Sequence, residues 1–218
     1  MIQCGQLAGK AEELTKPMAY LLGTYLTDGC IYTNGDGWKQ FRLLVIDQDF
    51  AEHTRDAIEA LGYKATVYST SRRNRQMWDC YTGAQDLTYW LELTTAHKHH
   101  VPMMLHHAED HIKLEFLTGV MDGDGYICKY KDKPQYIMGL GATGAWMPQV
   151  RWMMKRVGVK VGKLSLEDKG RNIPLFRFTI NKESAVRAGL LFSCERKRAR
   201  LHAYIQHAHP ELLPLLRD

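Results

Sequence analysis

The sequence predicts an α+β fold built from two copies of one structural unit. Residues 19–29 and residues 115–125 align without gaps, and their aspartates, Asp28 and Asp124, stand 96 positions apart in a chain of 218 residues. Similarity at a spacing close to half the chain indicates an internal duplication. In each half, segments typical of hairpins alternate with segments typical of helices, which favours α+β over a parallel doubly wound sheet.

Both halves are predicted to contain their elements in the order αββαββα. After the repeated helix, the first half offers strands at 30–33, 39–46, 64–70 and 76–82 and helices at 50–61 and 85–95. The second half offers strands at 126–131, 136–140, 160–167 and 175–180 and helices at 145–157, 182–189 and 194–207. Period-two alternation indicates the strands, and Gly62 and Gly158 are stop signals after the central helices. Each half is therefore expected to form a four-stranded antiparallel sheet with helices on one face and the other face open to a partner.

A polar, histidine-rich stretch divides the chain. We assign residues 1–96 to the first repeat, residues 97–108 to a linker and residues 109–218 to the second repeat. The net charge of +5 is uneven, because residues 1–108 carry −2 and residues 109–218 carry +7. Charge alone leaves a nucleic-acid partner and an ordinary solvated surface about equally open.

Composition excludes several classes of protein. Hydrophobic residues make up 45% and charged residues 24%, which are values of globular proteins. No apolar stretch approaches the roughly 18 residues of a spanning helix, and the first residues lack the apolar core of a signal peptide. Five scattered cysteines without a C-x-x-C pair favour a reducing compartment and no structural zinc. We therefore expect an intracellular protein with no membrane partner.

Small residues recur every four positions in the repeated helix. Ala19, Gly23 and Thr27 share one helical face in the first copy, and Gly119 and Gly123 keep the spacing in the second. Small side chains let two helix backbones approach closely. The two copies are therefore predicted to pack against each other.

Asp28 and Asp124 follow these helices directly, where the partial negative charge of a helix C-terminus disfavours a carboxylate. If the two helices pack side by side, the acids converge, and their repulsion raises a pKa unless a divalent cation lies between them. Mg²⁺ suits such carboxylate oxygens. The alternative is that both aspartates only accept hydrogen bonds from the strand amides that follow.

The two motifs resemble that of a known family. Residues 23–29 (GTYLTDG) are a loose copy, and residues 117–125 (LTGVMDGDG) a close copy, of the motif of LAGLIDADG homing endonucleases of the single-chain, two-repeat type. The resemblance covers nearly the whole chain, since the element order, Val101-Pro102 and the basic run 196–198 also resemble family features. It implies a pseudo-two-fold protein whose two sheets form a saddle over the DNA major groove.

The resemblance also implies site residues. Asp28 and Asp124 stand where the family binds its metals, each repeat serving one strand. Lys98 and Lys197 are expected as the basic catalytic residues, although His99 stands in the family's lysine position. Two alternatives remain open: Lys98 is only a charged residue of the linker, and residues 196–200 form only a solvated helix face. Leu26 replaces an earlier acid that Asp122 keeps in the second motif, and a further polar contact is expected near Asp47 or Gln48 and near Ala142 or Thr143.

Recognition of the target is expected from the open sheet faces and the hairpin tips. Alternation along the strands gives these candidate base readers: Cys30, Tyr32, Asn34, Gln40, Arg42, Tyr126, Cys128, Tyr130, Arg177 and Thr179. Basic residues clustered at the turns are expected to meet phosphates, and these are Arg72, Arg73, Arg75, Lys131, Lys133, Lys169 and Arg171.

The function that the sequence predicts is site-specific cleavage of double-stranded DNA. A monomer is expected to hydrolyse one phosphodiester in each strand with Mg²⁺, encoded by an intron or standing free. Two alternatives of the same fold stay open: an RNA-binding maturase that binds its own intron RNA, and a catalytically silent DNA-binding protein. The presence of both acids argues against the silent protein, whereas charge and motif do not separate endonuclease from maturase.

Overall fold

The structure is a computed structural model that describes residues 13–129, 135–167 and 173–216. Its α-helices are α1 (Lys16–Leu26), α2 (Gln48–Ala60), α3 (Gln85–Thr94), α4 (Met103–His107), α5 (Asp110–Gly123), α6 (Met147–Arg156), α7 (Lys182–Ala188) and α8 (Glu195–Ala208). A 3₁₀ helix follows at Pro210–Leu216. The strands are β1 (Cys30–Thr33), β2 (Lys39–Val45), β3 (Thr66–Arg72), β4 (Arg75–Thr82), β5 (Gly125–Lys129), β6 (Tyr136–Ala142), β7 (Ser165–Glu167) and β8 (Leu175–Ile180).

Each half of the chain forms one antiparallel sheet. The strand orders are β1-β2-β4-β3 and β5-β6-β8-β7, so the two sheets have the same topology. The α+β prediction of two repeated units, each with a four-stranded antiparallel sheet, is confirmed. The expected linker contains the short helix α4, and in the described ranges no helix has the length and apolar character needed to cross a membrane.

One face of each sheet is buried under helices. Phe41 and Leu43 on β2 and Cys80 on β4 are fully buried, and Leu140 on β6 and Phe178 on β8 occupy the matching positions in the second sheet. Helices α2 and α6 contribute their apolar faces to these cores. The other face carries the alternating polar residues, because successive side chains of a strand point to opposite sides.

Helix α1 is buried on all sides. It begins at Lys16, with Pro17 in its first turn where a missing amide proton costs nothing, and every residue from Met18 to Leu26 is buried. A helix without a polar face must be enclosed by other elements. Helix α5 covers one side of α1 and helix α2 covers another.

Glycines bring α1 and α5 into backbone contact. A Cβ atom built on Gly23 would lie 2.2 Å from the carbonyl oxygen of Phe116, and one on Gly119 would lie 2.3 Å from that of Tyr20. A Cβ on Gly123 would lie 2.1 Å from the hydroxyl oxygen of Thr27. The predicted packing of the two repeated helices is therefore present, and we call this contact the glycine seam.

Several hairpin boundaries differ from the prediction, and the strand expected from residue 64 begins at Thr66. The tip expected at 71–75 is a two-residue turn, because Arg73 and Asn74 adopt left-handed φ values of 52° and 60° and let β3 and β4 extend to Arg72 and Arg75. The strand expected from residue 160 begins at Ser165, and before it only Val161 forms an isolated bridge to Ile180.

Candidate active site and nucleic-acid interface

The glycine seam brings the two motif aspartates to the same end of the helix pair. Asp124 caps α5 and is half-buried, whereas Asp28 follows α1 by two residues and is exposed. Burial and the nearby charge of Asp28 raise the pKa of Asp124 to about 7. Desolvation by the surrounding protein also raises the pKa of Asp28, although the charges of Lys197 and Lys98 oppose this shift.

No hydrogen bond to the carboxylate of Asp28 or Asp124 is present in the described ranges. The alternative that both acids only cap the strand amides after them does not describe this structure. A pair of mutually repelling carboxylates without protein donors is a chemically suitable site for a hard divalent cation.

Lys98 reaches the C-terminal end of α1. Its Nζ donates to the carbonyl oxygen of Thr27 at 3.0 Å and lies 5.1 Å from the centre of the Tyr25 ring. Ala96, His97 and Lys98 all have left-handed φ values, 44°, 54° and 71°. Such backbone strain in three successive residues is unusual for side chains other than glycine. Burial lowers the pKa of Lys98, whereas the charges of Cys30, Asp28 and Asp124 oppose this shift.

Lys197 reaches the C-terminal end of α5. Its side chain is buried, and its Nζ donates to the carbonyl oxygens of Met121 and Gly123, both at 3.1 Å, and to that of Asp122. An ammonium group at this position stabilises the negative end of the helix dipole. Burial lowers the pKa of Lys197, and the charge of Asp122 opposes this shift first. The alternative of a solvated face does not apply to this lysine.

The structure distinguishes Lys98 from its neighbour His99. His99 is exposed, and among the described residues its hydrogen bonds are those of its backbone amide, whereas the Lys98 side chain binds the end of α1. Both residues line a cavity of about 550 Å³, which Asp124 and the segment Gly141–Trp146 also line. The cavity therefore opens beside one of the two motif acids.

Asp122, the earlier acid of the second motif, has a structural role. Its buried carboxylate accepts hydrogen bonds from the Tyr20 hydroxyl at 3.0 Å, the Ser193 amide at 3.0 Å and the Cys194 amide at 3.2 Å, and a further one from the Ser193 hydroxyl. These bonds fix the start of α8, which carries Lys197. In the first motif Leu26 stands at this position and is buried in apolar contacts.

Asp47, expected near the metal or water, is engaged elsewhere. Its two carboxylate oxygens accept hydrogen bonds from Nε and Nη2 of Arg196, each at 2.8 Å, and this contact lowers the pKa of Asp47. Asp49 accepts the amide of Glu195. Asp47, Asp49 and Cys194 bring their oxygen and sulfur atoms within 4.8 Å of one another, but Arg196 already uses both oxygens of Asp47. We call the Asp47–Arg196 pair the inter-repeat clasp.

The other three positions at which a polar contact to metal or water was expected do not form an ion pair like that of Asp47. Gln48 is exposed and donates to Glu52 at 2.8 Å, Ala142 is buried, and Thr143 is exposed. Ala142 and Thr143 line the cavity beside Asp124. The site is therefore not symmetric outside its two acids and two lysines.

Candidate base readers in the first sheet lie on its open face. Strand register places Cys30 beside Arg42 and Tyr32 beside Gln40. Asn34 lies beyond the strand, where its side-chain oxygen accepts the amides of Asp36 and Trp38 and closes the turn.

In the second sheet, Tyr126 pairs with Gly139 and Cys128 with Ile137, and Arg177 and Thr179 lie on the same open face. Tyr130 falls outside the described residues. Of the basic tip residues, Arg72, Arg73 and Arg75 are exposed on the β3–β4 hairpin. The remaining four, Lys131, Lys133, Lys169 and Arg171, fall outside the described residues.

Sequence reasoning missed several partners of these side chains. Asp79 and Tyr68 hold Arg42, and Glu167 holds Arg177. Asp79 interrupts a run of apolar residues on β4, between Trp78 and Cys80, and a buried carboxylate there is the sequence signal that could have been noticed.

Two four-stranded sheets and a pair of acids at the end of two packed helices define the class of LAGLIDADG homing endonuclease folds. Residues 15–96, in the first repeat, match the family model described as a LAGLIDADG-like domain, in agreement with the resemblance of the two motifs. No curated protein sequence matches the chain significantly.

Solved structures are similar over most of the chain. I-DmoI in complex with DNA and Mn has a TM-score of 0.56 and 14% identity, with 80% of this chain and 94% of that chain covered. I-WcaI bound to its DNA recognition sequence has a TM-score of 0.53 and 14% identity, with 98% and 93% covered. The N-terminal LAGLIDADG domain of DUF199/WhiA has a TM-score of 0.50 and 11% identity, with 74% of each chain covered. At such identities the similarity shows the fold.

Proposed function

We propose that this protein is a site-specific endonuclease that cuts both strands of a DNA duplex with a divalent cation, Mg²⁺ in the cell. The observation that carries the proposal is the pair Asp28 and Asp124, which the glycine seam holds together at the ends of two helices. A lysine accompanies each acid, and the open sheet faces flank the site. The similar structures of I-DmoI and I-WcaI contain DNA, and those of I-DmoI were obtained with Mn, Ca or Mg.

The two acids are suitable metal ligands. Their carboxylates are hard oxygen donors, lack hydrogen-bond donors within the described ranges and disfavour each other's charge. Asp28 and Asp124 would hold the cation, and a bound cation would supply an activated water and stabilise charge on the scissile phosphate. Because each acid comes from a different repeat, we assign one acid to each strand.

The two lysines have different roles in this proposal. Within the described part of the chain, Lys98 uses one hydrogen bond to hold its position at the end of α1, which leaves ammonium protons for a phosphate oxygen. Lys197 donates to three carbonyl oxygens of α5, which matches the three protons of an ammonium group. We therefore assign Lys98 to contact with the reacting phosphate and Lys197 to positioning of Asp124.

The proposed function includes action as a monomer. Both acids, both lysines and both sheets belong to a single polypeptide, which supports this part of the proposal. The base readers proposed for the open faces and the arginines of the β3–β4 tip would contact a long target, with base contacts giving specificity and phosphate contacts giving position.

The test is cleavage of duplex DNA that spans the insertion point of the protein's own gene, with Mg²⁺ and with EDTA. We expect cuts in both strands with Mg²⁺ only. Asp28→Asn and Asp124→Asn should each lose double-strand cutting by a factor of at least about 100 while keeping target affinity, because recognition is spread over the sheets. Asp56→Asn on the exposed face of α2 is the matched control and should cut as the wild type does.

Normal cutting of both strands by either motif variant would show that the residue has another role. A protein that leaves the duplex intact but binds its own intron RNA tightly would instead be a maturase, and the endonuclease proposal would be wrong.

A further inference from the structure

A held arginine lies on the open face of the first sheet. Arg42 on β2 donates through Nη2 to Asp79 on β4 and to the Tyr68 hydroxyl on β3 at 3.2 Å, and its Nε lies 3.4 Å from Asp79. The Tyr68 hydroxyl donates to Asp79 at 2.8 Å. The side chain of Asp79 is 2% exposed, whereas that of Arg42 is 39% exposed. The guanidinium is therefore held by a buried carboxylate on the sheet and remains accessible to solvent on its other side.

The second sheet contains a similar arrangement. Arg177 on β8 donates through Nη1 to Glu167 on β7 at 3.2 Å, and the Arg177 side chain is 42% exposed. A Cβ atom built on Gly141 would lie 3.2 Å from Cγ of Arg177, so the arginine stem lies across a glycine of β6. Each sheet thus presents one arginine oriented by an acid from a neighbouring strand.

The paired acids make these arginines poor phosphate ligands. The arginine keeps its charge, but the ion pair it forms with the carboxylate has little net charge, so the attraction of the pair to a polyanion is weak. Donors outside these contacts remain in a fixed plane, Nη1 in Arg42 and Nη2 in Arg177, and they suit the acceptors O6 and N7 that guanine presents in the major groove. A carboxylate on a surface that faces DNA repels phosphates, so its presence there needs a reason. A role of Asp79 in orienting an arginine that contacts a base supplies that reason.

We propose that Arg42, held by Asp79 and Tyr68, and Arg177, held by Glu167, each read one guanine, one in each half of the target. The inference rests on the proposed function, because it assumes that the open faces meet duplex DNA. Asp79, Tyr68 and Glu167 are positioning residues in this scheme, since they act through the arginines.

The test is selection of bound sequences from a library of randomised duplexes, with the full chain carrying Asp124→Asn so that bound DNA is not cut. In this background we compare Arg42→Lys, Arg177→Lys and Asp79→Asn. Arg42→Lys keeps a cation beside Asp79 and so preserves the fold, but lysine lacks the fixed fork of arginine. Thermal unfolding followed by circular dichroism checks that each variant is folded.

We expect each arginine variant to lose guanine preference at one base pair, by about 5- to 150-fold, with preferences elsewhere and the salt dependence unchanged. The two base pairs should lie in opposite halves of the target. Asp79→Asn should weaken preference at the same base pair as Arg42→Lys. Arg72→Ala at the exposed hairpin tip is the contrasting control, because loss of a phosphate contact weakens all sequences and reduces the salt slope by about 1.

Two results would overturn the inference and leave the endonuclease proposal standing. In the first, Arg42→Lys and the parent protein select targets with the same base preferences. In the second, Arg42→Lys loses affinity for all duplex sequences equally, and the salt dependence of binding becomes shallower. If the parent protein enriches no duplex sequence, the proposed function and the inference are both wrong.

Discussion

Lys98 and Lys197 occupy equivalent places in the two repeats, but they differ in what their ammonium groups already bind. Lys98 makes one hydrogen bond to a carbonyl and Lys197 makes three, in the part of the chain that the structure describes. The family resemblance predicted the same catalytic role for both, because a sequence motif contains no information on how many protons a side chain has left to donate.

Methionine at each lysine position separates these roles. Lys98→Met should reduce cleavage strongly and change the free energy of unfolding by less than about 1 kcal/mol, since one hydrogen bond is lost near solvent. Lys197→Met should destabilise the protein by about 1–3 kcal/mol, because buried carbonyl oxygens at the end of α5 lose their donor. Urea unfolding and cleavage rates on the same preparations measure both effects. Equal destabilisation by the two changes would contradict the assignment.

The pKa of Asp124 predicts how stability depends on pH without metal. The value of about 7 in the folded chain is above the ordinary 3.8, so the folded state keeps a proton that the unfolded chain releases. The stabilisation is complete below the unfolded value and is lost as pH rises through about 7. In EDTA, the melting temperature should therefore fall across this interval.

Asp124→Asn is the control for this titration, because asparagine does not ionise. Its melting temperature should fall less than that of the wild type over the same interval, and Mg²⁺ should stabilise the wild type more at high pH than at low pH. Identical pH profiles for the two proteins would show that Asp124 does not titrate in this range.

At the scale of elements, the glycine seam determines how α1 and α5 pack. Gly119→Ala places a Cβ atom 2.3 Å from the Tyr20 carbonyl oxygen, a separation that real Cβ atoms do not show. We expect a loss of about 1–3 kcal/mol in the free energy of unfolding, although alanine favours a helix by about 1 kcal/mol over glycine. Urea unfolding gives the value.

Gly35→Ala is the matched control, since a Cβ atom there has nothing within 4 Å. Its free energy of unfolding should stay within about 0.5 kcal/mol of the wild type. Comparable losses at Gly35 and Gly119 would mean that close approach of the helices is not the cause.

The sequence predicted the elements well where their signals are local. Alternation of Phe41, Leu43 and Val45 placed β2. Small residues at every fourth position, with Gly23 in one helix and Gly119 and Gly123 in the other, placed the seam. The start of β7 was wrong because Lys160 to Leu164 has a strand-like pattern, yet only Val161 finds a bridging partner. Strand pairing depends on tertiary register, which local alternation does not contain.

At the scale of the whole molecule, the inter-repeat clasp joins the end of the first sheet to the start of α8. Asp47 and Arg196 are 149 positions apart and form two hydrogen bonds of 2.8 Å. The sequence pointed to Asp47 as a metal or water contact. It could not indicate Arg196 as its partner, because their proximity results from the assembly of both repeats.

A double-mutant cycle with Asp47→Asn and Arg196→Met measures this contact. Because the Arg196 side chain is 43% exposed, we expect a coupling of about 1 kcal/mol in the free energy of unfolding, reduced by salt. Asp56 and Arg55, an exposed pair of sequence neighbours on α2, should give a coupling near zero in a parallel cycle. A clasp coupling as small as that control would remove its proposed role in joining the repeats.

The glycine seam also has a consequence for how this protein can change over time. The separation between Asp28 and Asp124 depends on main-chain atoms of α1 and α5 touching each other, and little on the side chains that fill either core. Substitutions that remodel the strands of one half can therefore accumulate without displacing the acids. If the protein is the proposed endonuclease, new target preferences can arise in either sheet while the spacing of the two acids stays constant.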